Sequence, residues 1–321
     1  MKYKGLLKSF LTLGLILILG ICITACKEEI PPPILDIYIT VDGFNINIAA
    51  ESPDSVTWLW NYGDGTVSDS VGSHTHTYAM GGDYTIVCTV TGEGGETIKT
   101  EAVAIATIMD LLSGGEDAPN GKTWVLSRTP GGSNGVGHIK VDLVPNIFPA
   151  VVDMLDFIGL PDEYDNEYTF YFDGRYSLDN INGDVMSPWV YSSLEVDPGD
   201  IVHTTSYGFF QISSPNPESA TWSLSENEGL SIETVYDEDV DIGPKPGIPE
   251  TIEYENVDYI TFDGGGFIGL KDYTTTAMIR EISPDRMTIT LFYHEFWGDP
   301  ENDGELYLRP SLALTLTYDA K

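Results

Sequence analysis

Trp60-Asn61-Tyr62-Gly63-Asp64-Gly65, followed by His76-Thr77-Tyr78 and Gly82-Asp83-Tyr84-Thr85-Ile86, is the stretch on which the fold of this chain turns. Trp58, Trp60 and Tyr62 alternate with polar or smaller residues, so on an extended strand they share one face and can fill the space between two sheets. Gly63 and Gly65 allow the dihedrals of a tight turn, and the Asp64 carboxylate can accept backbone N–H bonds across it. His74 and His76 could be read as a metal pair. Hydrogen bonding within a sandwich is the simpler role for them and the one expected.

Written as W-x-Y-G-D-G … H-x-Y-x-x-x-G-x-Y-x-I, these residues resemble the signature of PKD domains, with Tyr62 where that family often has Phe. The resemblance covers residues 35–106. It implies an immunoglobulin-like β-sandwich of the kind common on bacterial surfaces, serving as a spacer or contact module. Within it, Tyr84-Thr85-Ile86-Val87-Cys88-Thr89-Val90 alternates so that Cys88 faces inward with Tyr84, Ile86 and Val90, as a buried structural thiol would.

Upstream, Lys2, Lys4 and Lys8 precede an uncharged apolar run from Leu11 to Ile23. That layout is a secretory signal, and it is short for a membrane-spanning helix. Ile23-Thr24-Ala25-Cys26 fits the bacterial lipobox, which predicts cleavage after residues 1–25 and lipid on Cys26, anchoring the chain in the outer membrane. Lys27-Glu28-Glu29 resembles the signal that carries some lipoproteins to the outer face, which implies surface exposure. Residues 26–34, with Pro31-Pro32-Pro33, are expected to form an extended tether. Cys22 leaves with the signal and Cys26 carries lipid, so no intrachain disulfide is expected.

The chain has 15 Lys plus Arg against 50 Asp plus Glu, a formal net charge of −35. Losing residues 1–25 removes three lysines and no acid, which takes the mature chain to −38. Such a surface repels nucleic acid and anionic membrane, so phosphate-backbone binding is excluded.

About 295 residues remain after cleavage, enough for two domains. Tyr, Thr, Val and Ile are abundant, and Gly and Pro punctuate often, so the composition is all-β. Residues 107–121 read as a linker holding one helical turn, Ile108 to Ser113, closed by Gly114. Leu111 to Ser127, LLSGG…GKTWVLS, resembles a junction in surface lipoproteins of bacterial glycan-utilisation loci, in which a PKD domain precedes a lipocalin-like β domain. Polysaccharide binding beside a TonB-dependent transporter is what that resemblance implies.

Residues 122–321 read as an antiparallel β-barrel or sandwich. Predicted strands are Glu167 to Phe172 with Tyr168, Phe170 and Phe172 on one face, Tyr176 to Leu178 after an Asp173-Gly174 two-residue turn, Ala220 to Leu224, and Gly229 to Glu233. Tyr259 to Phe262, Ala277 to Ile282, Met287 to Tyr293, Glu305 to Arg309 and Leu312 to Tyr318 follow. Leu312, Leu314, Leu316 and Tyr318 are expected to face inward. Pro149 to Gly159 carries Val151, Met154, Leu155 and Ile158 at helical spacing, which predicts one short amphipathic helix.

Catalytic constellations are not recognised. His294-Glu295 does not continue to H-E-x-x-H, no G-x-S-x-G elbow is read, and no E-x-D-x-x-E strand occurs, so an enzyme is not expected. Carbohydrate binding needs less: flat aromatic faces for sugar rings and nearby carboxylates for hydroxyls. Trp189 and Tyr191 offer the first, and Glu295, Trp297 and Asp299 offer both. For Trp189 and Trp297 a core role competes equally with a binding platform. Trp124 and Trp222 sit in alternating strands and are expected in the core. Asp299 to Gly304 resembles the start of a calcium loop, but Pro310 stands where the bidentate carboxylate belongs, so a solvated turn is expected and no cofactor, with calcium as the alternative. The competing class is a structural or adhesion lipoprotein that makes contacts through the PKD domain.

Overall fold

A computed structural model describes residues 29–132, 134–236, 248–294 and 309–321. The signal stretch, Cys26 and the candidate residues Glu295, Trp297 and Asp299 lie outside the described residues, as does most of the predicted strand from Glu305 to Arg309. The chain divides into two compact units at Ile105 and Ala106.

In the first unit, β1 (Asp36–Asp42), β2 (Asn45–Glu51) and β5 (His74–Thr77) form one sheet, in the order β1-β2-β5. A second sheet has the order β4-β3-β6-β7, built from β3 (Thr57–Asn61), β4 (Val67–Ser68), β6 (Gly82–Gly92) and β7 (Gly95–Ile105). Strict alternation on β2 sends Ile46, Ile48 and Ala50 into one core with Trp58 and Trp60 of β3. Trp58, Trp60 and Tyr62 stack in sequence at centroid spacings of 6.0 and 6.4 Å, as the alternation predicts. Cys88 is fully buried, and burial pushes its thiol up to about 12.

Gly63 has φ +84, and a Cβ there would sit 2.8 Å from the Thr85 carbonyl, so only glycine closes this turn. Asp64 Oδ1 accepts the Thr66 N–H (2.9 Å), and Oδ2 pairs with His76 Nε2 (2.7 Å). Burial raises the Asp64 carboxyl, but the hydrogen bonds from Thr66 and His76 together outweigh it and hold the group below its ordinary range. His74 Nε2 meets the Tyr62 hydroxyl at 2.8 Å, and His76 stacks on the Tyr62 ring at 3.9 Å. Both histidines are thus engaged inside the sandwich. The end of the proline run is laid along the β6–β7 turn: Pro33 is buried and its carbonyl accepts from Thr97 (2.5 Å).

The second unit begins with α1 (Ile108–Ser113) and continues through β8 (Lys122–Leu126), β9 (Gly135–His138), β10 (Phe148–Pro149) and α2 (Met154–Ile158). Next come β11 (Glu167–Phe170), β12 (Tyr176–Asp179), β13 (Asp184–Pro188), α3 (Trp189–Glu195), β14 (Ile201–Thr204) and β15 (Phe209–Ser213). It closes with β16 (Thr221–Tyr236), β17 (Ile248–Asp263), β18 (Thr276–Ile282), β19 (Arg286–Tyr293) and β20 (Leu312–Ala320). Among the described residues the large sheet runs β12-β11-β8-β20-β19-β18-β17-β16, with β9 beside β20 and β10 paired to β9. It curls until Arg175, just before β12, bridges Thr221 at the start of β16, which makes it a half-barrel. The small sheet β13-β15-β14 packs on it, with Phe209 against Tyr293 at 5.4 Å. Trp124 and Trp222 are core residues, as expected.

Several expectations are corrected. The inward set on β20 is only half of what is buried: Ala313, Thr315 and Thr317 on the other face are buried too. Hydroxyl pairs satisfy that face, Thr290 with Thr315 (2.8 Å) and Thr288 with Thr317 (2.9 Å), while Ala313 joins a core with Ile139, Leu143 and Phe292. The segments around Ala220 to Leu224 and Gly229 to Glu233 are one strand of 16 residues, bulged where Asn227 takes φ +53. Phe172 does not join Tyr168 and Phe170 inside. It lies in a three-residue hairpin loop, because Gly174 at φ +85 closes Tyr171 onto Arg175 (3.1 Å). The short helix starts only at Met154, since Asp153 at φ +53 breaks it; Leu155 and Ile158 are buried, and Val151 is exposed.

Candidate functional site

Trp189 and Tyr191 are placed by a strand-to-helix change at Pro188. Proline caps α3 with extended dihedrals, and the Trp189 N–H is donated to the Gly208 carbonyl (2.9 Å) on the neighbouring strand connection. Val190 and Ser192 take the buried side of α3, and Trp189 and Tyr191 are left half-buried. Four residues beyond Tyr191, and so on the same helix face, stands exposed Glu195.

Tyr273, from the segment before β18, packs its ring on Tyr191 at 5.1 Å and 65°, and its hydroxyl donates to Glu195 Oε1 (2.9 Å). Tyr273 also meets His294, at 5.1 Å and 78°. His294 is fixed by Asp272, whose Oδ2 accepts the His294 backbone N–H (2.9 Å) and lies 2.8 Å from Nδ1. Asp272 Oδ1 is buried with no hydrogen-bond partner, and the side chains of this pair are 3% and 2% exposed. Burial, then the neighbouring Glu195 and Asp272 carboxylates, raise the Tyr191 hydroxyl; burial and the bond to Glu195 raise Tyr273 further. Both phenols therefore stay protonated donors at neutral pH.

The structure thus brings one predicted stretch, Trp189 and Tyr191, up to the end of the other, at His294. Glu295, Trp297 and Asp299 lie outside the described residues. Glu195 had a legible signal in its spacing from Tyr191. Tyr273 and Asp272 had none, since Lys271-Asp272-Tyr273 reads as an ordinary turn.

Gly131-Gly132-Ser133-Asn134-Gly135 does have the spacing of a nucleophile elbow. Ser133 lies outside the described residues, and the strand β9 begins two residues later at Gly135. Among the described residues no group of three or more His, Cys, Asp or Glu side chains is placed to hold a metal ion.

Residues 40–107 match the PKD domain family. The chain therefore carries an N-terminal PKD domain followed by a larger curled β domain. Among solved structures, it is similar to the PKD1 domain of Vibrio anguillarum Epp, 22% identical over 25% of this chain and 99% of that one, TM-score 0.23. The PKD1 domain of the Vibrio cholerae metalloprotease PrtV is 25% identical over 24% of this chain and all of that one, TM-score 0.22. A structure of carbohydrate-binding modules from the β-sandwich superfamily aligns over 91% of this chain and 93% of that one at 12% identity, TM-score 0.23. At TM-scores this low, likeness to a solved structure says nothing about what either unit binds. No curated protein matches the chain.

Proposed function

We propose that this chain is a non-catalytic, lipid-anchored surface protein that binds polysaccharide through its second unit and assists glycan capture by a TonB-dependent uptake system. The observation that carries this reading is the meeting of Tyr191, Tyr273 and Glu195 from separate segments on the rigid pair Asp272–His294. Half-buried rings offer faces to the C–H side of a sugar. The two phenols and the Glu195 carboxylate offer directional partners to its hydroxyls.

The test is affinity electrophoresis of the soluble chain, Cys26→Ser, in gels containing neutral polysaccharides. Tyr273→Ala should weaken retardation about 30-fold, the equivalent of about 2 kcal/mol for an anchoring aromatic. Tyr273→Phe, which removes only the bond to Glu195, should fall between. Equal retardation of Tyr273→Ala and the parent would sink the assignment.

The runner-up is adhesion through the PKD domain. It draws on Leu59, Thr89 and Ile98, which pair in register across the outer face of its second sheet and leave two large apolar side chains exposed.

A further inference from the structure

The chain ahead of β1 is held against the first unit and does not hang from it. Pro33 is buried at the β6–β7 turn, where its carbonyl accepts from the Thr97 hydroxyl (2.5 Å). The contact continues upstream. A Cβ on Gly94 would run into the backbone carbonyls of Ile30 and Pro31, and one on Gly92 would meet Pro33 Cδ at 3.3 Å. Gly94 is not in the left-handed region, so the docked chain itself is what keeps a side chain out. Ile30 to Pro33, most of the expected tether ahead of β1, are thereby fastened to a turn made of glycines.

That turn lies at one end of the first unit. The Val56 N–H donates to the Thr91 carbonyl (2.7 Å), which brings the β2–β3 turn to the same end. β7 runs 11 residues from Gly95, paired with Gly92, to Ile105, paired with Gly82, a length of about 35 Å. The chain leaves the unit at this far end. Asn45, opposite Thr77, places the β1–β2 turn and Asp42 there as well.

We propose that the β6–β7 and β2–β3 turns form the membrane-facing foot of this protein, seated on the lipid headgroups around its own anchor. This rests on the reading of Cys26 as the lipidated residue. A chain free as far as Asp36 would span ten residue steps from Cys26, about 35 Å when extended. Docking at Ile30 leaves four steps, about 14 Å at most. Whichever way the unit leans, this end therefore stays beside the bilayer. Three apolar side chains stand exposed at it: Ile30 (54%), Ile34 (69%) and Val56 (73%). Headgroup contact gives them the apolar partners that the first unit does not. Asp54 and Glu93 are exposed at the same end, so attraction to anionic lipid does not hold the foot down. The shortened chain does.

The test uses the lipidated full chain in phosphatidylcholine vesicles, probed with PEG-maleimide. Cys22 leaves with the signal, Cys26 is acylated and Cys88 is buried, so labelling reports an introduced cysteine. Glu93→Cys should label severalfold more slowly on vesicles than in detergent. Asp42→Cys, at the far end, should label alike in both. About twelve Gly/Ser residues inserted between Glu29 and Ile30 add about 20 Å of reach and should restore the Glu93→Cys rate without touching the first unit. In the soluble Cys26→Ser chain, Gly94→Val should let proteinase K trim the segment before Ile34 while residues 35–105 stay intact; the parent should resist trimming. Equal Glu93→Cys rates on vesicles and in detergent would overturn the foot and leave the anchor standing. A rate that stays low in the insertion variant would overturn it too, because the short chain would not be the cause. If Gly94→Val is trimmed no faster than the parent, docking at Gly94 does not shorten the chain and the proposal falls. If the parent fails to float with the vesicles, the anchor reading fails and this inference with it.

Discussion

Glu163 is a carboxyl almost without water: it is 1% exposed, Asn166 Nδ2 donates to one of its oxygens (3.1 Å), and the other has no partner. Burial pushes it up to about 8, with the nearby Asp162 and Asp184 adding to the rise and bonds from Met186 and Asn166 opposing it. Its unfolded value is 4.5, so between those limits the folded state holds a proton that the unfolded state has released. The stability this proton confers is fully present below about 4.5 and is lost as pH rises through about 8. Melting temperature should therefore decline across that window in the wild type. In Glu163→Gln, which keeps the shape and cannot ionise, that part of the decline should vanish. Parallel curves for the two proteins would show that Glu163 does not govern the alkaline limb. Nothing in Pro161-Asp162-Glu163-Tyr164 marks this residue as buried; only the packing of the small sheet over it does.

At the scale of elements, α1 shows how a local rule acquires a tertiary use. Thr107 and Asp110 cap each other, with Asp110 N donating to Thr107 Oγ1 (3.0 Å) and Thr107 N donating to Asp110 Oδ2 (3.1 Å), and Gly114 ends the helix at φ +86. These residues predict the helix by themselves. Its last carbonyls, however, receive Lys122 Nζ at Leu111 (2.7 Å) and the Trp124 indole N–H at Leu112 (2.9 Å), which fastens the predicted linker to the first strand of the second unit. Thr107→Ala should lower the stability of that unit by about 1 kcal/mol in urea unfolding followed by tryptophan fluorescence. Thr107→Ser should restore most of it. A loss below about 0.3 kcal/mol would mean that docking, not the cap, holds the helix. The shortened α2 makes the opposite point, because Asp153 in a left-handed conformation overrode an apparently continuous apolar period and left Phe157 facing out.

For the whole molecule, attachment and function are separable predictions. If Cys26 carries lipid, Cys26→Ser should leave the protein soluble or unprocessed. Changing Lys27, Glu28 and Glu29 to alanine should keep the lipid and reduce protease access on intact cells. Unchanged access in that triple variant would remove the export-signal reading while leaving the glycan site untouched. The sequence by itself determined what depends on near neighbours: two β units, the Gly63 and Gly65 turn, the capped α1, buried Cys88, and core roles for Trp58, Trp60, Trp124 and Trp222. Period and dihedral preference act over a few residues, so these features can be read locally. Only the tertiary structure decided which aromatics share a surface. Tyr273 reaches Tyr191, and Tyr207 reaches Phe148 and Phe157, because β13 pairs with β15 and the small sheet lies on the curled one. Strand register and sheet curl are properties of long-range pairing, which no short stretch of this chain encodes.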